Sequence, residues 1–341
     1  MVIGQTLYNL NYTYSFYNLI LVASIATTTT FQGWNMSVKK LITGLTLSML
    51  LASGVASAAD FYKGLDAFNA GNYKNALAEW TPLAEQGDVY TQNFLGFTLS
   101  NGPDAMRDIK SAVKWYTKAA EQGYSDSQFN LGIMYDNGKG VPENDKTAVK
   151  WYTKAAEQGD TKAQYSLGIM YSTGEGVPEN DKTAVKWYTL AAEQGDAKAQ
   201  YSLGIMYDNG EGVPENDKTA VKWYTLAAEQ GDADAQNNLG YMYSKGEGVP
   251  ENDKTAVKWT TLAAEQGDGI AQSNLGYMYS KGEGVLTDNR RAYMWLSLGS
   301  YNGSEGTSEY KDKIAKQMTP ADISKAQDMS SRCLESNYTD C

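Results

Sequence analysis

Six tryptophans, Trp115, Trp151, Trp187, Trp223, Trp259 and Trp295, follow one another every 36 residues without exception. The dipeptides Leu131-Gly132, Leu167-Gly168, Leu203-Gly204, Leu239-Gly240 and Leu275-Gly276 keep the same step. A fixed period of roughly 20–50 residues marks a stacked array in which each unit buries its apolar face against the next. The period narrows the fold far more than it narrows the ligand. It speaks to architecture and to a broad class of function, and leaves the partner's identity open.

The unit from Asp160 to Gly195 shows what each residue type does. Ala163, Leu167, Met170 and Tyr171 stand at i, i+4, i+7 and i+8, one stripe of a helix. Gly168 lies inside that stripe at a cost of about 1 kcal/mol of helix propensity relative to alanine. A glycine recurring there predicts a neighbouring helix too close for a side chain. The run from Ser172 to Val177 ends the helix, with Gly174 and Gly176 able to take positive φ, and Pro178 discourages continuation. Asn180-Asp181 suits the cap of a second helix. That helix carries Ala184, Trp187, Tyr188, Ala191 and Ala192 on one face and stops at Gly195. Burying a large aromatic is worth about 2–3 kcal/mol. Trp115, Trp151, Trp187, Trp223, Trp259 and Trp295 are therefore expected to form a ladder through the structural core.

The pattern A-x-x-x-L-G-x-x-Y-x-x-G-x-G-V, followed by A-x-x-W-Y-x-x-A-A-x-x-G, resembles the Sel1-like repeat, a relative of the tetratricopeptide repeat. Nearly every signature position is filled in five consecutive units from Tyr124 to Gly303. The match extends with losses to Asp88–Gly123, where the loop survives only as Asn101-Gly102-Pro103. This resemblance implies an all-α fold, a right-handed α-solenoid of helix-turn-helix units. Its concave face is generally used to bind proteins and organise complexes, often in bacterial envelopes or at host surfaces. The units are expected at 88–123, 124–159, 160–195, 196–231, 232–267 and 268–303. Residues 59–87 are expected to form a tetratricopeptide-like capping helix pair around Gly71-Asn72-Tyr73. Capping helices are expected over 304–341, where Thr319-Pro320 opens a helix well and Ile323, Ala326, Ser330 and Cys333 become buried.

Ahead of the repeats, Met36 begins a secretory pattern: Lys39 and Lys40, an apolar run from Leu41 to Leu51, then Ala56-Ser57-Ala58. Residues 36–58 are read as a signal peptide cleaved after Ala58. Residues 1–35 carry no charge, and their apolar stretch, Leu19 to Ala26, is far shorter than the ~18 residues a membrane span needs. For them two readings stand, a mis-assigned start upstream of Met36 or a functional extension. The mature chain has no segment apolar enough to span a bilayer, and a periplasmic or secreted location is expected.

Removing residues 1–58 deletes two lysines and no acid, which takes the formal charge from −11 to −13. So acidic a surface argues against a nucleic-acid partner, because phosphate binding needs clustered Lys and Arg. Histidine is absent from the chain, which removes Ser-His-Asp and Cys-His nucleophilic arrangements and His-based zinc sites. Ser111-Ala112-Val113-Lys114 looks like the S-x-x-K of penicillin-recognising enzymes. Its counterparts, Thr147-Ala148-Val149-Lys150 and Thr183-Ala184-Val185-Lys186, make it the opening of a second helix. Some cysteine-rich proteins of the resembled family have carried a β-lactamase label, but their in-repeat cysteine pairs are missing here. The loop Asp136-Asn137-Gly138-Lys139-Gly140 lacks the ligand order of a calcium site. No cofactor, metal or catalytic residue is expected. The only cysteines, Cys333 and Cys341, read as a disulfide tying down the tail in an oxidising compartment, or else as two unpaired thiols on a frayed end.

Units 160–195 and 196–231 differ at only three positions, Thr161/Ala197, Ser172/Asp208 and Thr173/Asn209. Across all units the differences concentrate on the first helix. Tyr165, Ile169 and Ser172 lie at i, i+4 and i+7, on a face apart from the Ala163–Leu167–Tyr171 stripe. Their counterparts include Phe129 and Ile133, Tyr201 and Ile205, Asn237 and Tyr241, and Ser273 and Tyr277. In the related solenoids first helices line the concave surface, so Phe129, Ile133, Tyr165, Ile169, Tyr201, Ile205, Tyr241 and Tyr277 are candidates for protein binding. The competing reading is that they pack helix against helix. The near-identity of the copies is equally compatible with recent duplication or with a repetitive ligand. The expectation is a monomeric, exported, non-catalytic protein-binding scaffold in a bacterial cell envelope. Its alternatives are a secreted factor that binds host proteins and a hydrolase acting on β-lactams or cell-wall material.

Overall fold

The computed structural model describes residues 58–341, so the readings made for residues 1–57 lie outside the described residues. Among the described residues there are sixteen α-helices and no strand, an all-α repeat fold. None of these helices is long and apolar enough to cross a membrane. The chain divides into two compact units, one ending at Glu143 and the other running from Asn144 to Cys341.

The first unit holds α1 (Ala58–Asn69), α2 (Tyr73–Glu85), α3 (Val89–Asn101), a 3-10 turn at Asp104–Met106, α4 (Ile109–Glu121) and α5 (Ser125–Asp136). The chain reverses between α1 and α2 at Gly71, whose φ of +74° suits a residue without a β-carbon. Its core gathers around Trp80, which is fully buried among Leu65, Ala76, Ala84 and Leu95. The Trp80 indole N–H donates to the Phe61 carbonyl at 3.1 Å, so its one polar atom is satisfied in the dark. Rings of Phe61, Phe68 and Phe94 surround it.

The second unit runs α6 (Asp145–Ala156), α7 (Thr161–Thr173), α8 (Asp181–Glu193), α9 (Ala197–Asn209), α10 (Asp217–Glu229), α11 (Ala233–Lys245) and α12 (Asp253–Ala264). It continues with α13 (Gly269–Lys281), α14 (Asn289–Tyr301), α15 (Thr307–Ala315) and α16 (Pro320–Glu335). From α7 to α14, first and second helices of the repeat alternate. Each first helix is capped by an aspartate, Asp160, Asp196, Asp232 or Asp268, accepting from the backbone N–H three residues on. Asn180, Asn216 and Asn252 do the same for second helices. Such a cap is worth about 1 kcal/mol over alanine.

The two loop glycines have different jobs. Gly174, Gly210, Gly246 and Gly282 end the first helices in the left-handed conformation. Gly176, Gly212, Gly248 and Gly284 also have positive φ, but a β-carbon there would strike the backbone at Asp145, Asp181, Asp217 and Asp253. Those residues begin the second helix of the preceding repeat. The second glycine therefore sets how closely successive units approach.

Gly168 and Gly204 meet a ring, as the recurring glycine foretold. A β-carbon at Gly204 would lie 2.5 Å from the Tyr224 ring, and Gly168 is pressed likewise by Tyr188. In the first unit Gly96 lies under Tyr116 in the same way. Tyr116, Tyr152, Tyr188 and Tyr224 are all buried, and they, more than the indoles, fill the centre of the repeats. This corrects the expected tryptophan ladder. Trp115 and Trp295 are buried, whereas Trp151, Trp187, Trp223 and Trp259 are only half-buried. The cause is register: residue 187 sits one step, or about 100°, round the helix from residue 188, and the glycine faces 188. The indoles instead lie between repeats. Trp223 packs against the cluster of Ala184, Tyr188, Ala199 and Leu203, and Trp259 against that of Ala220, Tyr224, Ala235 and Leu239. Their outer sides are covered by lysine, Lys186 over Trp187 at 5.3 Å and Lys222 over Trp223 at 5.0 Å.

A buried glutamine joins each unit to the one before. The amide nitrogens of Gln164, Gln200, Gln236 and Gln272 donate to the carbonyls of Ala156, Ala192, Ala228 and Ala264 at 3.0–3.1 Å. Those carbonyls belong to the last turn of a helix, where each also accepts the backbone N–H of the glycine three residues on. Each glutamine oxygen then accepts from a side chain thirty residues on: Gln194, Gln230, Gln266 and, at the last rung, Asn302.

The C-terminal end closes on α16. Ala326, Ser330 and Cys333 are buried there, and Ile323 is half-buried. Cys333 and Cys341 are joined by a disulfide. The loop between them holds Tyr338 at φ +65°, with its ring against Gly267 and its hydroxyl bonded to the Asn302 amide at 2.8 Å.

Candidate functional site

The first-helix faces of α7, α9, α11 and α13 belong to one compact unit, and the candidate residues on them fall into two kinds. Tyr165 and Tyr201 are half-buried. Each leans on the second-helix tyrosine of its own repeat, with ring centroids 5.8 Å apart for Tyr165–Tyr188 and 5.9 Å for Tyr201–Tyr224. Ile169 and Ile205 are half-buried against the same clusters. Packing and surface are therefore both true of these four residues. Tyr241 and Tyr277, in contrast, are 50% and 42% exposed. Their rings are flanked by Lys245 at 5.9 Å and Lys281 at 5.7 Å.

In the first compact unit, Phe129 and Ile133 on α5 are half-buried. Phe97 on α3 holds the register position of Ile133 and Tyr241, and it is 44% exposed. Periodicity missed it because that copy has lost its loop signature; counting 36 residues back from Ile133 finds it. Ile270, 58% exposed, lies seven residues before Tyr277 on the same helix face. It was missed because its counterparts Lys162, Lys198 and Asp234 are all charged.

Hydroxyls and carboxylates line the face. Ser202, on α9, lies near the hydroxyls of Tyr165 and Tyr188 and favours their ionised form, and Asn238, on α11, does the same for Tyr201 and Tyr224. Tyr224 donates to Asp208 at 3.2 Å. Burial pushes the Tyr201 phenol up to about 12, and the nearby charges of Asp234 and Asp232 add to the rise. The Asp208 carboxyl is held above its ordinary value, first by burial and then by the charges of Asp217 and Glu215, against the pull of Tyr224. These tyrosines remain neutral donors at physiological pH.

Elsewhere the chemistry is that of helix ends. Ser111 donates to Asp108 at 2.6 Å while the same aspartate accepts from the Ser111 backbone. The S-x-x-K look-alike is thus an N-cap pair. Among the described residues no three His, Cys, Asp or Glu side chains are grouped to hold a metal ion.

A family model described as the Sel1 repeat matches six consecutive segments, 89–124, 125–160, 161–196, 197–232, 233–268 and 269–304. A Sel1 repeat protein of Oxalobacter formigenes has a similar crystal structure, with 34% identity, a TM-score of 0.62, and coverage of 71% of this chain and 97% of that one. A protective antigen with the same repeat fold, present in uropathogenic Escherichia coli strains, is 31% identical at a TM-score of 0.56. That match covers 81% of this chain and 68% of the antigen. The search of curated proteins found no match.

Proposed function

Since the chain belongs to the Sel1 repeat family, we propose that it is an exported, non-catalytic scaffold holding part of a partner protein along its first-helix face. Proteins of this family are generally protein-interaction scaffolds. The observation that carries the reading is the series of apolar or aromatic side chains at one register position of successive first helices. Tyr241 and Tyr277 in that series stand about half in solvent, Tyr277 with one side of its ring against Tyr310 of α15. Aromatic rings that are rigid, amphipathic and exposed are what protein interfaces concentrate at their centres.

Export is supported by the Met36–Ala58 pattern and by the Cys333–Cys341 bond, which suits an oxidising compartment. Location in the envelope or in the medium is a matter of fractionation: the protein is expected in the periplasm. A second reading, a secreted factor that binds host proteins, draws on the similarity to a protective antigen, and recovery from culture medium would favour it. The docking reading is tested by placing a photo-crosslinking amino acid at Tyr241, Tyr277 or Leu190 in living cells. The two tyrosine positions should give the same crosslinked partner, and Leu190, on a second helix, should not. Equal crosslinking from all three positions would end the reading.

A further inference from the structure

The first-helix face of the fifth and sixth repeats differs from its neighbours in charge as well as exposure. In the third and fourth repeats the second helical residue is a lysine, Lys162 or Lys198, close to the capping Asp160 or Asp196. In the fifth repeat that position is Asp234, and in the sixth it is Ile270. Neither repeat has a lysine of its own there to offset Asp232 or Asp268. Capping explains two of these three carboxylates: Asp232 accepts from the Ala235 N–H at 2.9 Å and Asp268 from the Ala271 N–H at 2.6 Å. It does not explain Asp234, which is exposed and caps nothing.

The three lie close enough to repel one another. Burial raises Asp232 and Asp268 above the ordinary carboxylate value, and the charge of Asp234 raises both further. The Tyr201 hydroxyl feels all three. Lys198 attracts Asp232, but among the described residues none of the three is in an ion pair. Seven residues, or about 10 Å along the helix, separate Asp234 from Tyr241 and Ile270 from Tyr277. Between them the Asn274 amide donates to Asn237 at 3.1 Å and joins the two helices at the floor. The face therefore runs from unneutralised carboxylates, over amides, to exposed rings whose far side is held by Lys245 and Lys281.

We infer that this face takes a partner segment in which a Lys or Arg lies about one to two helical turns' length from an apolar or aromatic side chain. The cation meets Asp232, Asp234 and Asp268, its aliphatic stem lying along Ile270, and the apolar group seats on Tyr241 and Tyr277. An acidic segment is excluded by the same three carboxylates, so the arrangement selects as well as attracts. The inference rests on the docking reading above and adds the chemistry of the partner to it.

The test is selection of random twelve-residue phage-displayed peptides on the immobilised full chain, followed by affinity measurements on the enriched peptides. The enriched peptides should combine Arg or Lys with an aromatic or branched aliphatic residue. Their affinity should fall at least tenfold in the triple variant Asp232→Asn, Asp234→Asn, Asp268→Asn, which keeps residues able to cap. It should fall also in Tyr241→Ala with Tyr277→Ala, and with added salt. Thermal melting of each variant verifies that it is folded. Enrichment of acidic or uncharged peptides, or peptides lost in the tyrosine variant but indifferent to the carboxylate variant, overturns the inference and leaves the docking reading standing. Failure to enrich any peptide, or binding indifferent to both variants, overturns both.

Discussion

The third and fourth repeats and the fifth and sixth share a backbone plan yet use one face in opposite ways. In the former, Tyr165 and Tyr201 fold down onto Tyr188 and Tyr224. In the latter the supporting ring is gone, replaced by Thr260 and Leu296, and the leaning ring is gone with it, replaced by Asn237 and Ser273. The aromatic has moved four residues along the helix, to Tyr241 and Tyr277, which are 50% and 42% exposed, and Tyr310 of α15 meets the Tyr277 ring at 5.4 Å. In these four repeats the leaning tyrosine occurs only over a supporting tyrosine, whereas the first repeat keeps Tyr116 with Asn93 at the leaning position, so the support does not require its partner. What the later repeats give up in packing they present to solvent.

The comparison is most easily broken at its buried end. Tyr224→Ala removes a fully buried ring and should cost about 3–5 kcal/mol of local stability, read by hydrogen exchange across α9 and α10. Trp223→Ala, at a half-buried interface, should cost less, and a larger loss there would restore the indoles to the centre. Next in size, Tyr165→Ala or Tyr201→Ala should lose about 1–2 kcal/mol, because each removes half-buried packing. Tyr241→Ala should stay within about 0.5 kcal/mol in chemical denaturation, and Tyr277→Ala, which also gives up the Tyr310 ring, within about 1 kcal/mol. Equal losses in the two pairs would erase the distinction between the halves.

The pairing itself can be transplanted. Asn237→Tyr and Thr260→Tyr made together should be more stable than the two single changes predict, by about 0.5–1.5 kcal/mol. A cycle without coupling would show that backbone position, and not the ring pair, decides. The smallest effect concerns acidity. Burial places the Asp208 carboxyl above its ordinary value, so the folded chain holds that proton more tightly than the unfolded chain does. The resulting stability is full below the unfolded value near 3.8 and is lost as pH rises through the folded value. Asp208→Ser, which installs the third repeat's Ser172, should remove the gain. The stability of the parent over the variant should then grow as pH falls from 7 toward about 4, and a difference independent of pH would refute the assignment.

The fold was largely legible before any coordinates. Gly168 announced a close approach, Gly174 and Gly176 a left-handed turn, and Asn180 a cap, because each answers a local steric or hydrogen-bonding demand. What sequence did not settle was which of two adjacent rings, Trp187 or Tyr188, faces inward. Both lie within the same apolar arc, and only the ring's position over Gly168 decides. Gln164 recurs in every copy but escaped notice, since a polar side chain inside an apolar stripe counts against the stripe until its two partners are known. On the candidate face, periodicity placed the residues correctly on one side of the helix. It could not tell the seated Tyr165 from the standing Tyr241, because that depends on a residue in the other helix, Tyr188 or Thr260.

The glutamine rungs carry a consequence for how such a chain changes over generations. Each rung refers only to the helix before it and to its own repeat, and the last is closed by Asn302 and the tethered Tyr338. A whole unit can therefore be excised or inserted between identical junctions without leaving a loose end. The length of the molecule is free to drift by unequal recombination while the terminus stays sealed, and the reach of its surface can be altered without redesigning a single joint.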